Sequence, residues 1–182
     1  MKLLTDKYRP NSLKEMVGHN DKIKELVNYV KSKKPVIIYG KVGNGKTSSV
    51  YALAKDMGYE VFEVNSSEVR NKESMEKIIG GSLKQKSLFS KSKIILIDEV
   101  DGVQGTADRG GIGAIQKVIR ATKYPVIMTA NDIWIDKLRY LRLGCKLIQM
   151  RKVDMRTVAK VLKEISEKEE IRIKDTILHE IA

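Results

Sequence analysis

The stretch Val36-Ile37-Ile38-Tyr39-Gly40-Lys41-Val42-Gly43-Asn44-Gly45-Lys46-Thr47 decides how the rest of the chain is read. A short apolar strand runs into a Gly-x-x-x-x-Gly-Lys-Thr loop. After it Val50, Leu53, Ala54 and Met57 recur at i, i+3, i+4, i+7, the spacing of one helix face. Glycines at 40, 43 and 45 let the backbone turn tightly and aim successive N–H groups inward. Loop and helix N-terminus then form a concave anion site. In this pattern Lys46 meets the β- and γ-phosphates of a nucleotide, and the Thr47 hydroxyl holds Mg2+. The bland alternative is a glycine-rich strand-to-helix turn, but strand, loop and helix follow in the order that phosphate binding requires.

Working outward, Asp21 to Lys31 carries Ile23, Leu26, Val27 and Val30 at helical spacing and ends at Lys33-Lys34-Pro35. Residues 1–19 show no periodicity and read as an ordered arm. Downstream, Gly58 stops the helix, and Val61 to Val64 reads as a second strand. From Glu68 to about Lys93 the chain is polar, with a weak helix near Met75–Ile79. Ile94-Ile95-Leu96-Ile97 is the continuous apolar run of a central parallel strand covered on both faces. A glycine-rich loop from Gly102 to Gly113 leads to a helix bearing Ile112, Ile115, Val118 and Ile119. Val126–Thr129 and Lys146–Met150 complete the strands. Strands alternate with helices to about residue 150, as in a doubly wound α/β sheet. Beyond it the pattern is only helical, with Asp154 and Asp175 as candidate caps.

The chain has 182 residues, 42% hydrophobic and 32% charged, enough for one full core and the start of a second. No apolar run approaches the ~20 residues of a membrane span, and Asp6, Lys7 and Arg9 interrupt any apolar leader segment. A single Cys145 permits neither an internal disulfide nor a thiolate metal cage, so a reducing, cytoplasmic setting is expected. The net charge is +12 and unevenly spread. Lys31, Lys33, Lys34, Lys41 and Lys46 have no acid among them, nor do Lys84, Lys86, Lys91 and Lys93. Residues 137–156 hold seven Lys or Arg against Asp154 alone. A polyanion partner is implied, against the alternative of a solvated lysine-rich surface; charge does not separate DNA from RNA.

Hydrolysis of a nucleotide needs a metal tether and a group that orients water. Asp98 and Glu99 end the buried Ile94–Ile97 strand, and in an α/β sheet ligands lie outside the carboxyl ends of the strands. Asp98 is therefore expected to hold Mg2+ and Glu99 to polarise the attacking water. The next strand ends in Thr129-Ala130-Asn131-Asp132, where the Asn131 amide can contact the γ-phosphate or the water. Its alternative is a strand-terminating Asx turn.

Tyr8-Arg9-Pro10, Val17-Gly18, Gly40–Thr47, Asp98-Glu99-Val100-Asp101, Asp108-Arg109-Gly110-Gly111 and Thr129–Asp132 together resemble the large subunit of archaeal replication factor C, an AAA+ sliding-clamp loader. The similarity runs from about residue 3 to the end. It implies an α/β fold: a five-stranded parallel P-loop sheet with helices on both faces over residues 1–152, with the arm 1–19. The first helices of a small all-helical lid follow at 153–182. It also implies an Mg-dependent, DNA-dependent ATPase that opens the clamp and loads it onto primer–template DNA in replication, together with clamp-loader small subunits. The other reading is an ATP-binding assembly module with little hydrolysis of its own. The resemblance places Tyr8, Arg9 and Val17 by the adenine. It makes Gly40, Lys41, Val42, Gly43, Asn44, Gly45, Lys46, Thr47 and Ser48 the nucleotide cradle, and Lys46, Glu99 and Asn131 the catalytic set. Arg109, Lys117, Arg120 and Lys123 become DNA phosphate contacts, and Leu88 and Phe89 a clamp contact. The localisation it implies is cytoplasmic, at the nucleoid.

Three departures from the family matter. Small subunits carry Ser-Arg-Cys where this chain has Leu143-Gly144-Cys145, so the arginine that reaches into a neighbour's ATP is expected to be absent. Lys41-Val42 stands where Pro-Pro is common, which predicts a less rigid loop. The lid arginine of related proteins falls past Ala182, so the chain is expected to be a fragment or one half of a split subunit.

Overall fold

The computed structural model of the protein describes residues 3–66, 92–102 and 109–181. In chain order its elements are α1 (Leu4–Lys7), α2 (Asn20–Lys31), β1 (Val36–Tyr39), α3 (Lys46–Met57), β2 (Glu60–Asn65), β3 (Lys93–Asp98), α4 (Arg109–Ala121), β4 (Val126–Ala130), α5 (Arg139–Gly144), β5 (Lys146–Gln149), α6 (Met155–Lys168) and α7 (Asp175–Ile181). The strands form one sheet in the order β2-β3-β4-β1-β5, every pairing parallel. As expected of an α/β P-loop sheet, helices cover both faces.

Period-two alternation divides the core. Val36 and Ile38 of β1, Ile94 and Leu96 of β3, and Ile148 of β5 face Leu26 and Val30 of α2 and Val50, Leu53 and Ala54 of α3. Ile37, Ile95, Ile97 and Met128 face the opposite way, against Ile112, Ile115 and Val118 of α4 and Leu138 and Leu141 near α5. The central strands are buried on both sides, which is why they read as unbroken apolar runs. Each fully buried Leu or Ile contributes about 1.5–3 kcal/mol relative to exposure. Edge strand β2 is only half covered and takes in Glu60 and Asn65 beyond the expected Val61–Val64.

Three local expectations are corrected. The loop expected to reach Gly113 is helical from Arg109 onward. Each interior glycine costs a helix about 1 kcal/mol against alanine, and the buried Ile112–Ile115–Val118 stripe offsets it. The arm is not wholly irregular, since it holds α1 and a 3-10 turn at Leu13–Glu15. It is fastened to α3 by Leu13 N–H donating to Asp56 Oδ2 (2.9 Å) and Lys55 Nζ donating to Asn11 Oδ1 (2.7 Å). The segment around Trp134 contains a 3-10 turn at Asp136–Leu138 and the six-residue α5, both too short to show periodicity. Asp154 caps α6 as expected, accepting from Thr157 N–H at 2.9 Å, whereas Asp175 is itself the first residue of α7. The α6 and α7 helices pack on one another. Leu88, Phe89 and the weak helix near Met75–Ile79 lie outside the described residues.

Candidate nucleotide-binding site

The parallel order sets the carboxyl ends of β1, β3 and β4 side by side. Met128 pairs with Ile97 and Ala130 with Tyr39, so Thr129 falls beside Asp98 and Asn131 beside Gly40. A cavity of about 220 Å³ opens at these ends, lined by Val42, Gly43, Gly45, Lys46, Thr47, Ser48, Asp98, Glu99, Thr129 and Asn131. Residues read separately from three stretches of sequence thus share one surface. The larger cavity, about 720 Å³, lies between Gly18–Lys22 and Tyr39, Leu147, Gln149 and Arg151, and holds none of these groups.

The phosphate loop is built on left-handed backbone. Gly43 and Gly45 have φ of 83° and 80°, and Gly45 immediately precedes α3. Gly40 also has a positive φ, 147°, and there contact adds to it, because a Cβ would stand 2.1 Å from the Met150 carbonyl oxygen. The same carbonyl accepts from Asn44 Nδ2 at 2.9 Å, pinning the loop to the end of β5.

Lys46, nearly buried, donates from Nζ to Gly40 O (2.8 Å), Lys41 O (3.1 Å) and Asn131 Oδ1 (2.9 Å). Burial lowers its pKa from the usual lysine value, and the charges of Asp101, then Asp98 and Glu99, oppose that shift. Thr47 Oγ1 donates to Asp98 Oδ1 at 3.1 Å. A hydroxyl and a carboxylate this close are the hard oxygen donors that Mg2+ takes, its remaining ligands being water and phosphate oxygens. Among the described residues no cluster of three or more His, Cys, Asp or Glu forms a protein-only metal cage. The chemistry of the donor set therefore fits a nucleotide-bound Mg2+.

Glu99 has φ of 54° and is held by its backbone, leaving its exposed carboxylate on the cavity wall. Its N–H donates to Thr129 Oγ1 (3.0 Å), and its carbonyl accepts from Ser66 Oγ (2.7 Å) and Gly102 N–H (2.8 Å). Thr129 Oγ1 also donates to Asp98 Oδ1. Sequence reasoning gave Thr129 and Asp101 no role. Each acts across the β3–β4 neighbourhood, which the sequence does not state.

Other candidates are placed elsewhere. Gly40 and Lys41 flank the cavity, and Val42 is 81% exposed on its rim. Tyr8 does not line it. Its hydroxyl donates to Glu169 Oε1 at the end of α6 (2.5 Å), the carboxylate that Lys7 Nζ also reaches at 2.5 Å. Arg9 stacks 5.3 Å from the Tyr51 ring centroid on α3, and Val17 is partly exposed. Met16 of the arm touches the loop, its Cε standing 3.2 Å from where a Gly45 Cβ would lie. Lys117, Arg120 and Lys123 are exposed along and just after α4, whose first residue is Arg109. Burial pushes the Cys145 thiol up to about 12, so it stays protonated, as expected of an inert packing residue.

A phosphate loop facing strand-end carboxylates on this sheet defines a class, and residues 36–148 match the family described as the ATPase family associated with various cellular activities (AAA). The chain belongs to that family. The resemblance read from the motifs is also borne out. The chain is 44% identical to the replication factor C large subunit of Nanoarchaeum equitans over 97% of this chain and 42% of the relative. It is 41% identical to that of Methanococcus aeolicus, over 97% of this chain and 39% of the relative. It thus spans about two fifths of the length of the curated relatives it matches. The Thermotoga maritima RuvB Holliday junction branch migration motor shares the fold, with a TM-score of 0.71 over 94% of this chain and 58% of that one at 16% identity.

Proposed function

We propose that the chain is the nucleotide-binding part of a clamp-loader large subunit. In this reading it binds ATP with Mg2+ and hydrolyses it as part of opening a sliding clamp and loading it onto primer–template DNA. The observation that carries the reading is the convergence of Lys46, Thr47, Asp98, Glu99 and Asn131 on one cavity. That the similar proteins are replication factor C large subunits supports the larger role. Residues 1–152 form the ATPase domain, and 153–182 begin a helical lid. Small subunits, clamp and DNA are the partners, Arg109, Lys117, Arg120 and Lys123 supplying DNA phosphate contacts and Leu88 and Phe89 a clamp contact. The setting is the cytoplasm, at the nucleoid.

In the proposed mechanism the loop N–H groups and Lys46 bind the β- and γ-phosphates, Lys46 exchanging its carbonyl partners for phosphate oxygens. Burial strips this ammonium of water, which strengthens its hold on an anion. Mg2+ held by Thr47 and Asp98 supplies charge compensation at the phosphates. Glu99 takes a proton from the attacking water. Asn131, its Oδ1 turned to Lys46, offers Nδ2 to the γ-phosphate. Tyr8, Arg9 and Val17 flank the base in this reading.

The test is ATP turnover by the full protein with clamp, primed DNA and small subunits, and by its Glu99→Gln variant. Turnover stimulated by those partners and lowered about 10²–10⁴-fold in the variant, with ATP still bound, is expected. Equal rates in variant and wild type would remove Glu99 from its role. Indifference to every partner would sink the clamp-loader assignment and leave an ATP-binding assembly module.

A further inference from the structure

The carboxylate of Asp101 is not among the cavity-lining groups, yet it connects two that are. It sits in the 3-10 turn Val100–Gly102, directly after Glu99, with Val100 fully buried beneath it. Its Oδ2 accepts from the backbone N–H groups of Asn131 (2.9 Å) and Asp132 (3.2 Å), at the tip of the neighbouring strand β4. Asn131 in turn accepts from Lys46 Nζ through its side-chain Oδ1 at 2.9 Å. One chain of contacts therefore runs from the ammonium expected to hold phosphate, through the amide, to the turn that carries Glu99.

Loop stapling alone does not account for the other half of this carboxylate. Asp101 Oδ1 is buried and has no hydrogen-bond partner among the described residues. A buried unpaired acceptor is destabilising, and a charged one more so. A neutral side chain with one acceptor would tie the Asn131–Asp132 turn without that cost. The negative charge of Asp101 also acts on Lys46, the ammonium that ends the same chain of contacts, opposing the effect of its burial.

We propose that Asp101 is a positioning residue of the hydrolytic site, setting Asn131 against Lys46 and holding that pair in fixed relation to Glu99. The proposal rests on the ATPase reading above and names the device by which phosphate contact at Lys46 and Asn131 is kept in register with the base. Misplacing a reacting group by about 1 Å can cost about 10²-fold in rate. Binding, which uses the loop and Lys46, has less to lose.

The test is steady-state ATP hydrolysis by the full-length protein in its assembly, with ATP binding followed by a fluorescent ATP analogue. It compares wild type, Asp101→Ala, Asp101→Asn, Asn131→Ala and the Asp101→Ala/Asn131→Ala double variant, with Glu99→Gln as the control. Asp101→Ala is expected to lower kcat about 10–100-fold with KM and analogue affinity within about threefold of wild type. Asp101→Asn keeps an oxygen for both N–H groups but not the charge, and should recover part of that loss. In the Asn131→Ala background the further loss should shrink towards none, because residues that act through one another are not additive. An Asp101→Ala kcat within twofold of wild type overturns the proposal, as do a KM that rises in step with the fall in kcat, an Asp101→Asn variant as slow as Asp101→Ala, or full additivity with Asn131→Ala. If any of these occurs while Glu99→Gln is inactive, the ATPase reading stands without Asp101. An inactive wild type, or one no faster than Glu99→Gln, sinks both.

Discussion

His19 stands between the arm and the phosphate loop, 7% exposed, with Nε2 lacking a hydrogen-bond partner among the described residues. Burial lowers its pKa from 6.5, and a hydrogen bond with the Asn44 backbone opposes the shift. The folded state thus favours the neutral imidazole. Its contribution is fully present above the unfolded value near 6.5 and is lost as pH falls through the lower folded value. Thermal unfolding between pH 7.5 and 5 should show a steeper loss of Tm for wild type than for His19→Gln, which cannot titrate. Parallel slopes would mean that His19 carries no such linkage. At this scale the sequence was legible where a residue's place follows from its own strand or loop. Lys46, Thr47, Asp98 and Glu99 meet that condition, each set by the motif or strand end that bears it. Thr129 and Asp101 do not, because their partners lie on adjacent strands and adjacency is a tertiary fact. Tyr8 shows the converse. Resemblance assigns it to a base, and its hydroxyl is engaged by Glu169 just past α6.

Elements were legible in proportion to how completely one face, or both, is buried. β1, β3 and β4 are central and read as apolar runs, and α2 and α6 carry clear helical stripes. The start of α4 was hidden because Gly110, Gly111 and Gly113 argue locally for a loop, and only packing of Ile112 and Ile115 on the sheet overrides them. The phosphate loop, for its part, is a junction of β1, α3 and β5, and its glycines serve different ends. At Gly43 the backbone alone is special, with φ of 83° and nothing within 4 Å of a Cβ. At Gly40 a methyl group meets the Met150 carbonyl that also anchors Asn44. Gly43→Ala should cost about 1–2 kcal/mol, the strain of a left-handed residue. Gly40→Ala should cost more, about 3 kcal/mol or beyond, because the β1–β5 contact must open. For a domain of this size each kcal/mol moves Tm by roughly 2–4 °C, so thermal unfolding separates the two. Equal losses would show that the Gly40–Met150 approach is not what constrains the loop.

For the whole molecule, the question is what one chain can do without a neighbour. Lys46 and the carboxylates gather on a cavity open to solvent, and its described lining holds no arginine. At the end of α5 lies Gly144, where the resemblance expects no reaching arginine of the kind small subunits carry. Neither a positive φ nor crowding explains the glycine, since a Cβ there meets nothing within 4 Å. The backbone would accept a side chain, so what is missing is the guanidinium, and this chain is expected to receive such a group at its own site while offering none. A guanidinium supplied in trans is worth about 10³–10⁵ in rate for this chemistry. The isolated 182-residue chain should therefore bind ATP, as equilibrium binding of a fluorescent analogue would show, yet turn it over slower than the assembled complex by a factor of that order. Rates should be measured for the chain alone over a range of concentrations and then with its partner subunits added. A monomer that hydrolyses at the assembled rate would mean that Lys46, Glu99 and Asn131 complete the site by themselves, and that no neighbour's arginine is needed.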